Sequence, residues 1–439
     1  MNVALDNRQT EAQSTLFPIV VIGVLFFIFG FVTWLNGSLI PFLTIACELN
    51  QIEAYLVTMS FYLAYTFTAL PMALVLKKVG YRRGMTLGLI IMALGAFLFI
   101  PAAQTRVYGL FLSALFVLGT GLTVLQTAAN PYIVHIGPKE TAAVRISIMG
   151  LLNKAAGVVA PIVFTAYVLS DMSQFSELAM QQLGEVEKQV ALEALSSRLT
   201  QPYLILGSML IALAMLIRLT PLPEITFLNN STNDNDILST RALLRKPHLL
   251  LGVISLFCYV GVEVIAGDTI GLFGRELGVS NFTQLTSYTM AFMVLGYILG
   301  IVAIPRWISQ EHALMVSALL GIILSVLVIF SSSESSSIWQ MMFSWTGFPT
   351  IPNVILFLAA LGFANAMVWP AVWPLALRDL GEMTSTGSAL LIMGISGGAI
   401  FPFFYGMISE FSGDPQLAYG IMIPCYVFIL FYALKGCRL

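Results

Sequence analysis

Charge is what this chain has least of. Only 10% of its 439 residues are Asp, Glu, Lys or Arg, against 58% hydrophobic, too little polar surface to solvate a globule of this size. A water-soluble fold is excluded. Cysteine is scarce, and Cys47, Cys258, Cys425 and Cys437 lie far apart without metal-ligand spacing, so neither a zinc site nor a disulfide framework is expected. The three histidines are equally dispersed: His135 near a helix end, His248 and His312 in loops, positions suited to solvation or capping rather than chemistry. No Gly-rich, lysine-containing phosphate loop occurs, which argues against direct ATP use. The net charge of −2 offers nucleic acid no basic surface. The first 16 residues carry no basic cluster and the first apolar run is too long for a signal-peptide core, so no cleavage is expected there.

Long apolar runs fill the rest. They begin near Phe17, Ile52, Met85, Val107, Ala142, Pro202, Leu249, Phe282, Ala313, Val354, Thr386 and Leu417, each with the ~20 residues a helix needs to cross a hydrocarbon layer. The runs do not alternate as barrel strands would, and only helices or closed barrels satisfy a backbone in lipid. The expected fold is an all-α integral membrane protein of twelve transmembrane helices. Residues 1–16 form a tail, 17–220 a first six-helix bundle with an outer loop at 170–200, 221–247 a polar linker, and 248–439 a second bundle. Ile146-Ser147-Ile148-Met149-Gly150 is echoed by Leu390-Leu391-Ile392-Met393-Gly394, as a parallel repeat of two bundles requires; that is the major facilitator architecture, with its site at the midplane. Twelve spans suggest a carrier able to bury its own polar groups as a monomer.

Cationic residues cluster on alternate loops. Lys77, Lys78, Arg82, Arg83, Lys139, Arg145, Arg218, Arg241, Arg245, Lys246, Arg306, Arg378, Lys435 and Arg438 share one side, while Arg106, Lys188, Arg198 and Arg275 fall on the other. The positive-inside rule puts both chain ends in the cytoplasm. Glu177, Glu185, Glu187 and Glu193 in the outer loop are spaced for a surface helix over the bundle, and Ser331 to Ser337 reads as flexible, solvent-facing chain.

Ionisable groups inside a membrane are costly, roughly 2.5–3.5 kcal/mol on insertion scales, so each is a functional candidate. Lys154 in span 5, and Glu263 and Asp268 in span 7, stand out. At about 1.5 Å per residue, Lys154 and Glu263 sit at one depth, roughly 20 Å from the same face, with Asp268 nearer the outer face. Two carboxylates and one ammonium leave one excess negative charge, for a proton or sodium ion to balance; sodium would sit near Glu263 and Asp268. Asn365, Trp369 and Trp373, at i, i+4 and i+8, share one helix stripe, an amide and two indoles suited to a sugar. Pro370 and Pro374 should bend that helix. Gln126, Asn130, Asn36 and Asn153 complete the expected substrate ligands, and Gly296, Gly300, Gly394 and Gly398 read as close-packing positions.

Three segments carry a resemblance: Trp34-Leu35-Asn36-Gly37-Ser38-Leu39-Ile40-Pro41, Gln126-Thr127-Ala128-Ala129-Asn130-Pro131-Tyr132 and Cys258-Tyr259-Val260-Gly261-Val262-Glu263. With Glu263 to Asp268 and Asn365 to Pro370, they resemble the fucose–galactose–glucose–proton symporter family, and within it the bacterial glucose/galactose permease branch, which includes N-acetylglucosamine permeases. The resemblance implies a multi-pass inner-membrane protein that imports a monosaccharide by cation symport. It also implies that the aspartate and glutamate used by fucose transporters match Gly37 and Gln126 here, so the coupling charge has moved to span 7. Two rivals remain: an uncoupled facilitator or exporter, which a static Lys154–Glu263 pair would favour, and a membrane enzyme, which lacks an acid/base or metal cluster at a headgroup.

Overall fold

A computed structural model of the chain describes residues 2–136, 142–168, 183–220, 245–304 and 306–439. Within these residues twelve helical spans are long and apolar enough to cross a membrane: Phe17–Ala46, Gln51–Leu76, Tyr81–Thr105, Tyr108–Asn130, Val144–Val168, Glu185–Leu219, Pro247–Glu276, Phe282–Ala303, Gln310–Phe330, Asn353–Ala376, Thr386–Ser412 and Pro415–Arg438. They are numbered 1 to 12 below. Most of the linker expected at 221–247, the start of the outer loop at 170, Glu177, Lys139 and Arg241 lie outside the described residues.

Local chemistry sets the helix ends. Asn50 accepts from the Glu53 amide and Glu53 accepts from the Asn50 amide, at 2.8 and 2.9 Å, a reciprocal cap that starts span 2. Gly80, at φ 80°, turns the chain from span 2 into span 3. Ser309 caps span 9 and Asp414 caps span 12.

Several spans are interrupted, spans 1, 10 and 7 among them. Span 1 breaks at Leu35, between helices Asn2–Trp34 and Asn36–Ala46; Pro41 has no N–H to return to the Gly37 carbonyl. Span 10 breaks between Asn353–Asn365 and Val368–Ala376, where Pro370 likewise leaves the Ala366 carbonyl without its helical donor. Span 7 widens into a π-helical turn at Ile265–Thr269. The carbonyls freed by that turn are satisfied by hydroxyls: Thr269 donates to Ile265 O at 2.7 Å, Thr289 to Ala266 O at 3.1 Å and Thr286 to Gly267 O at 2.7 Å. Interrupted helices are tolerated at membrane depth only where protein or a cavity re-satisfies the backbone.

The two halves use the same contacts. Gly30 of span 1 lies against the Asn153 carbonyl of span 5, and Gly397 of span 11 against the Phe257 carbonyl of span 7, each so close that an added Cβ would overlap backbone. Between halves, span 5 packs on span 8 and span 2 on span 11. Gly296 meets Ala366, and Gly300 meets Met367, so the glycines of span 8 do serve close packing.

One seam between the halves lies on the face away from the basic loops. There Gln51 donates to Glu276 Oε1 at 2.8 Å and accepts from the Ser409 hydroxyl at 2.7 Å. Ser38 donates to Thr283 O at 2.7 Å, and the Tyr55 and Tyr405 rings meet edge-on at 5.5 Å. Helix Glu185–Ser197 straps the first half on this face, tied by Lys188 to Glu48 (2.5 Å) and by Gln189, which accepts from Arg106 at 2.7 Å. It packs on helices Asn36–Ala46 and Tyr81–Thr105 of the first half. The serine-rich loop departs from the flexible-chain expectation. Asn353 donates from its backbone to Ser335 O at 2.7 Å and from its side chain to the Ser335 hydroxyl at 3.0 Å, and a short helix, Ser337–Phe343, follows.

Candidate substrate cavity

A cavity of about 90 Å³ lies between the halves. Spans 1, 2, 4 and 5 of the first half and spans 7, 8, 10 and 11 of the second all contribute to its wall. Aromatic rings dominate: Phe26, Phe29, Trp34, Tyr62, Tyr65, Tyr259, Tyr297 and Trp369. Gln126, Asn130 and Asn153 supply three half-buried amides, all from the first half. An apolar wall with a few placed polar groups is the usual make-up of a small-molecule site.

The floor of the cavity is an ion pair. Lys154 Nζ donates to Glu263 Oε1 at 2.7 Å, with both side chains at least nine-tenths buried. The Tyr259 hydroxyl donates to the same carboxylate oxygen at 2.7 Å. The Trp34 ring faces the ammonium, its centroid 4.4 Å from Nζ, a cation–π contact that steadies a desolvated lysine. Trp34 Nε1 also donates to Asn153 Oδ1 at 3.4 Å. Glu263 and the Trp34 ring therefore hold the lysine between span 1, span 5 and span 7.

The sequence placed ten residues in one chamber, and the structure divides them. Gln126, Asn130, Asn153, Lys154, Glu263 and Trp369 line the cavity together. Trp373 does not: it lies behind Trp369, stacked on it at 5.1 Å and 26°. Asn365 is fully buried and accepts from the Tyr426 hydroxyl at 2.9 Å, away from the wall. The break after Asn365 disrupts the stripe that i, i+4, i+8 spacing implied. Asn36 follows the break in span 1, is 2% exposed and lies outside the lining. Asp268, itself within the π turn that follows Glu263, is also outside it. The expected cluster of two carboxylates and a lysine is thus a closed pair and a separate aspartate. The tyrosines at 62, 65, 259 and 297 and the two phenylalanines went unread in the sequence; in so apolar a chain, aromatic residues give no signal of which way they face.

With the geometry in hand, comparison with known proteins is decisive. The Major Facilitator Superfamily model matches residues 22–402. The chain belongs to that superfamily. The superfamily and the chain's relatives are transporters, not enzymes. The chain is 33% identical to a glucose/galactose transporter of Brucella abortus biovar 1 (strain 9-941), over 100% of this chain and 98% of the relative. It is 27% identical to the L-fucose-proton symporter of Escherichia coli (strain K12), over 98% of this chain and 95% of that one. Among solved structures it is similar to the major facilitator transporter FucP in the outward conformation, at a TM-score of 0.76 and 26% identity, covering 96% of this chain and 98% of that chain. A bacterial homologue of the lysosomal transporter Spinster, inward-facing, shares the fold at a TM-score of 0.61 and 17% identity.

Proposed function

We propose that this chain is a secondary active transporter that imports a monosaccharide of the glucose/galactose class together with a proton, by alternating access. The observation that carries the reading is the cavity between the halves, where first-half amides face a second-half indole across a charge-balanced pair. A pyranose stacks its C–H face on an aromatic ring while its hydroxyls take directed hydrogen bonds. Trp369 supplies the ring, and Gln126, Asn130 and Asn153 the hydrogen bonds. Because Lys154 and Glu263 cancel, the cavity favours an uncharged sugar over a sugar phosphate or uronate, whose extra charge would meet no partner. The relatives named proton symporters and glucose/galactose transporters support both the substrate class and the proton.

Coupling is assigned to Glu263, Asp268 and Lys154, with both chain ends cytoplasmic and the chain a monomer in a bacterial inner membrane. The basic loops then face inward and the seam outward. Uptake of radiolabelled glucose, galactose and N-acetylglucosamine into proteoliposomes, with pH and sodium gradients imposed separately, tests this. Accumulation of a hexose driven by the pH gradient is expected, and Glu263→Gln should weaken it. Hexose that only equilibrates would instead establish the facilitator reading, which the closed Lys154–Glu263 pair favours.

A further inference from the structure

We propose that Asp268 is the group that carries the coupled proton, and that its protonation is what lets the two halves close on the face away from the basic loops. This deepens the symport reading and rests on it.

The carboxyl is fully buried within the π turn. The backbone of that turn is satisfied by three threonine hydroxyls, yet the acid is not: Oδ2 accepts only from the Thr58 hydroxyl, at 3.4 Å, and Oδ1 has no partner. Among the described residues no lysine, arginine or histidine comes within 4 Å of it. Lys154, the one cation within the cavity wall, is taken by Glu263. An isolated carboxylate without water or counter-charge neutralises rather than stay ionised. A sodium ion would need a shell of oxygens, whereas a proton needs only the acid itself.

Thr58 belongs to span 2 and Asp268 to span 7, so this contact joins the halves. It continues the seam of Gln51 with Glu276 and Ser409, and of Tyr55 with Tyr405. Asp268 is buried because the seam is shut; when the seam parts, water reaches the carboxyl and it can ionise. Closure and proton uptake are then linked, each favouring the other by the same factor. The proton is taken from water on the seam side as the halves meet, and is given up toward the inner side before the seam reopens.

The groups facing Asp268 allow this. Glu263 lies on its own span, and span 2 brings Tyr55 and Tyr62. Beside the π turn stands Tyr419, whose hydroxyl pairs with Thr269 at 2.9 Å, and Tyr405 contacts Tyr419 from span 11. Glu276 and Arg275 end span 7, with Glu276 bonded to Gln51. Span 8 offers only Thr286, Thr289 and Met290 there, and helices Asn36–Ala46 and Asn353–Asn365 carry no titratable side chain. None of these supplies a positive charge to Asp268.

The test uses Asp268→Asn, which fixes the neutral form, and Asp268→Glu, which keeps a titratable acid, in proteoliposomes. Sugar counterflow without a gradient should persist in the Asn variant while pH-driven accumulation is lost, and the Glu variant should retain accumulation. Independently of sugar, a Ser409→Cys reporter in a Cys47→Ser background reads the seam by maleimide labelling. Because only the thiolate reacts, each rate is divided by that of the same cysteine in the denatured protein at the same pH; with Asp268 intact this ratio should fall as pH falls, by up to about tenfold per pH unit for one linked proton, and with Asn it should stay low at every pH. Accumulation preserved in the Asn variant, or a ratio that ignores pH with Asp268 present, overturns the proposal while leaving sugar transport intact. Absence of hexose counterflow in the unmodified chain would instead remove the sugar reading, and the labelling arm would still decide Asp268.

Discussion

Neutralising one member of the Lys154–Glu263 pair should be far more damaging than neutralising both. At 2.7 Å the gross attraction is about 6 kcal/mol for an effective dielectric near ~20. Taking the two ions out of water costs several kcal/mol each, which offsets most of that gain. The net value of the pair is therefore small, but a lone survivor keeps the cost without the gain. Lys154→Met leaves Glu263 with the Tyr259 hydroxyl alone, and Glu263→Gln leaves the ammonium on the Trp34 ring and a neutral amide. Each single variant should lose about 3–5 kcal/mol, whereas the double variant should lose less than either, giving a coupling energy of at least ~3 kcal/mol. The assay is equilibrium unfolding in mixed detergent micelles across the four members of the cycle. If the single losses add to within ~0.5 kcal/mol, the pair is not an energetic unit and the account of the cavity floor fails.

Other consequences can be measured separately. Trp369→Ala removes the ring from the cavity wall and should weaken hexose binding by about 1–2 kcal/mol, roughly 5- to 30-fold in equilibrium dialysis; Trp373→Phe, one layer behind, should change it little. Gly397→Ala drives a methyl into the Phe257 carbonyl and should cost about 1–3 kcal/mol of unfolding free energy, with Gly30→Ala at Asn153 matching it in the first half. The strap on the seam face should loosen in acid. The hydrogen bond from Lys188, and then its charge and that of Arg106, hold Glu48 below its ordinary value of 4.5 against a smaller opposing effect of burial. A depressed folded-state value means the stabilisation is present above the ordinary value and is lost as pH falls below it. Limited proteolysis within Glu185–Ser197 should therefore accelerate below about pH 4.5, and Lys188→Met should remove that pH dependence.

Depth along each helix was legible in the sequence, and direction around it was not. Rise per residue put Lys154 and Glu263 at one level before any helix was oriented, and they meet at 2.7 Å. Stripe spacing put Asn365 and Trp373 on the cavity wall with Trp369, and neither is there: the helix breaks at Ala366 and Met367, between Asn365 and Trp369, while Trp373, one turn beyond Trp369, stacks behind it. Pro370 and Pro374 announced a bend but not the angle through which it turns what precedes it. Span 7 gave no warning at all. Nothing in Ile265-Ala266-Gly267-Asp268-Thr269 marks a π turn, which depends on Thr286 and Thr289 of span 8 being placed to take the carbonyls it frees.

The sequence by itself determined the solvent, the number of spans and that positive charge gathers on alternate loops. Those are sums over local windows: about twenty apolar residues cross a bilayer wherever their neighbours lie, and lysines on a loop count the same in any fold. Only the tertiary structure decided which polar groups share a cavity, that Glu263 is matched and Asp268 is not, and which side chains join the halves at the seam. Each of these turns on helix rotation, on breaks, and on contacts between residues far apart in the chain such as Thr58 and Asp268. A hydrophobic pattern that covers every face of a helix cannot specify rotation, because lipid and protein interior are almost equally apolar; close packing at glycines and the pairing of buried polar groups must supply it.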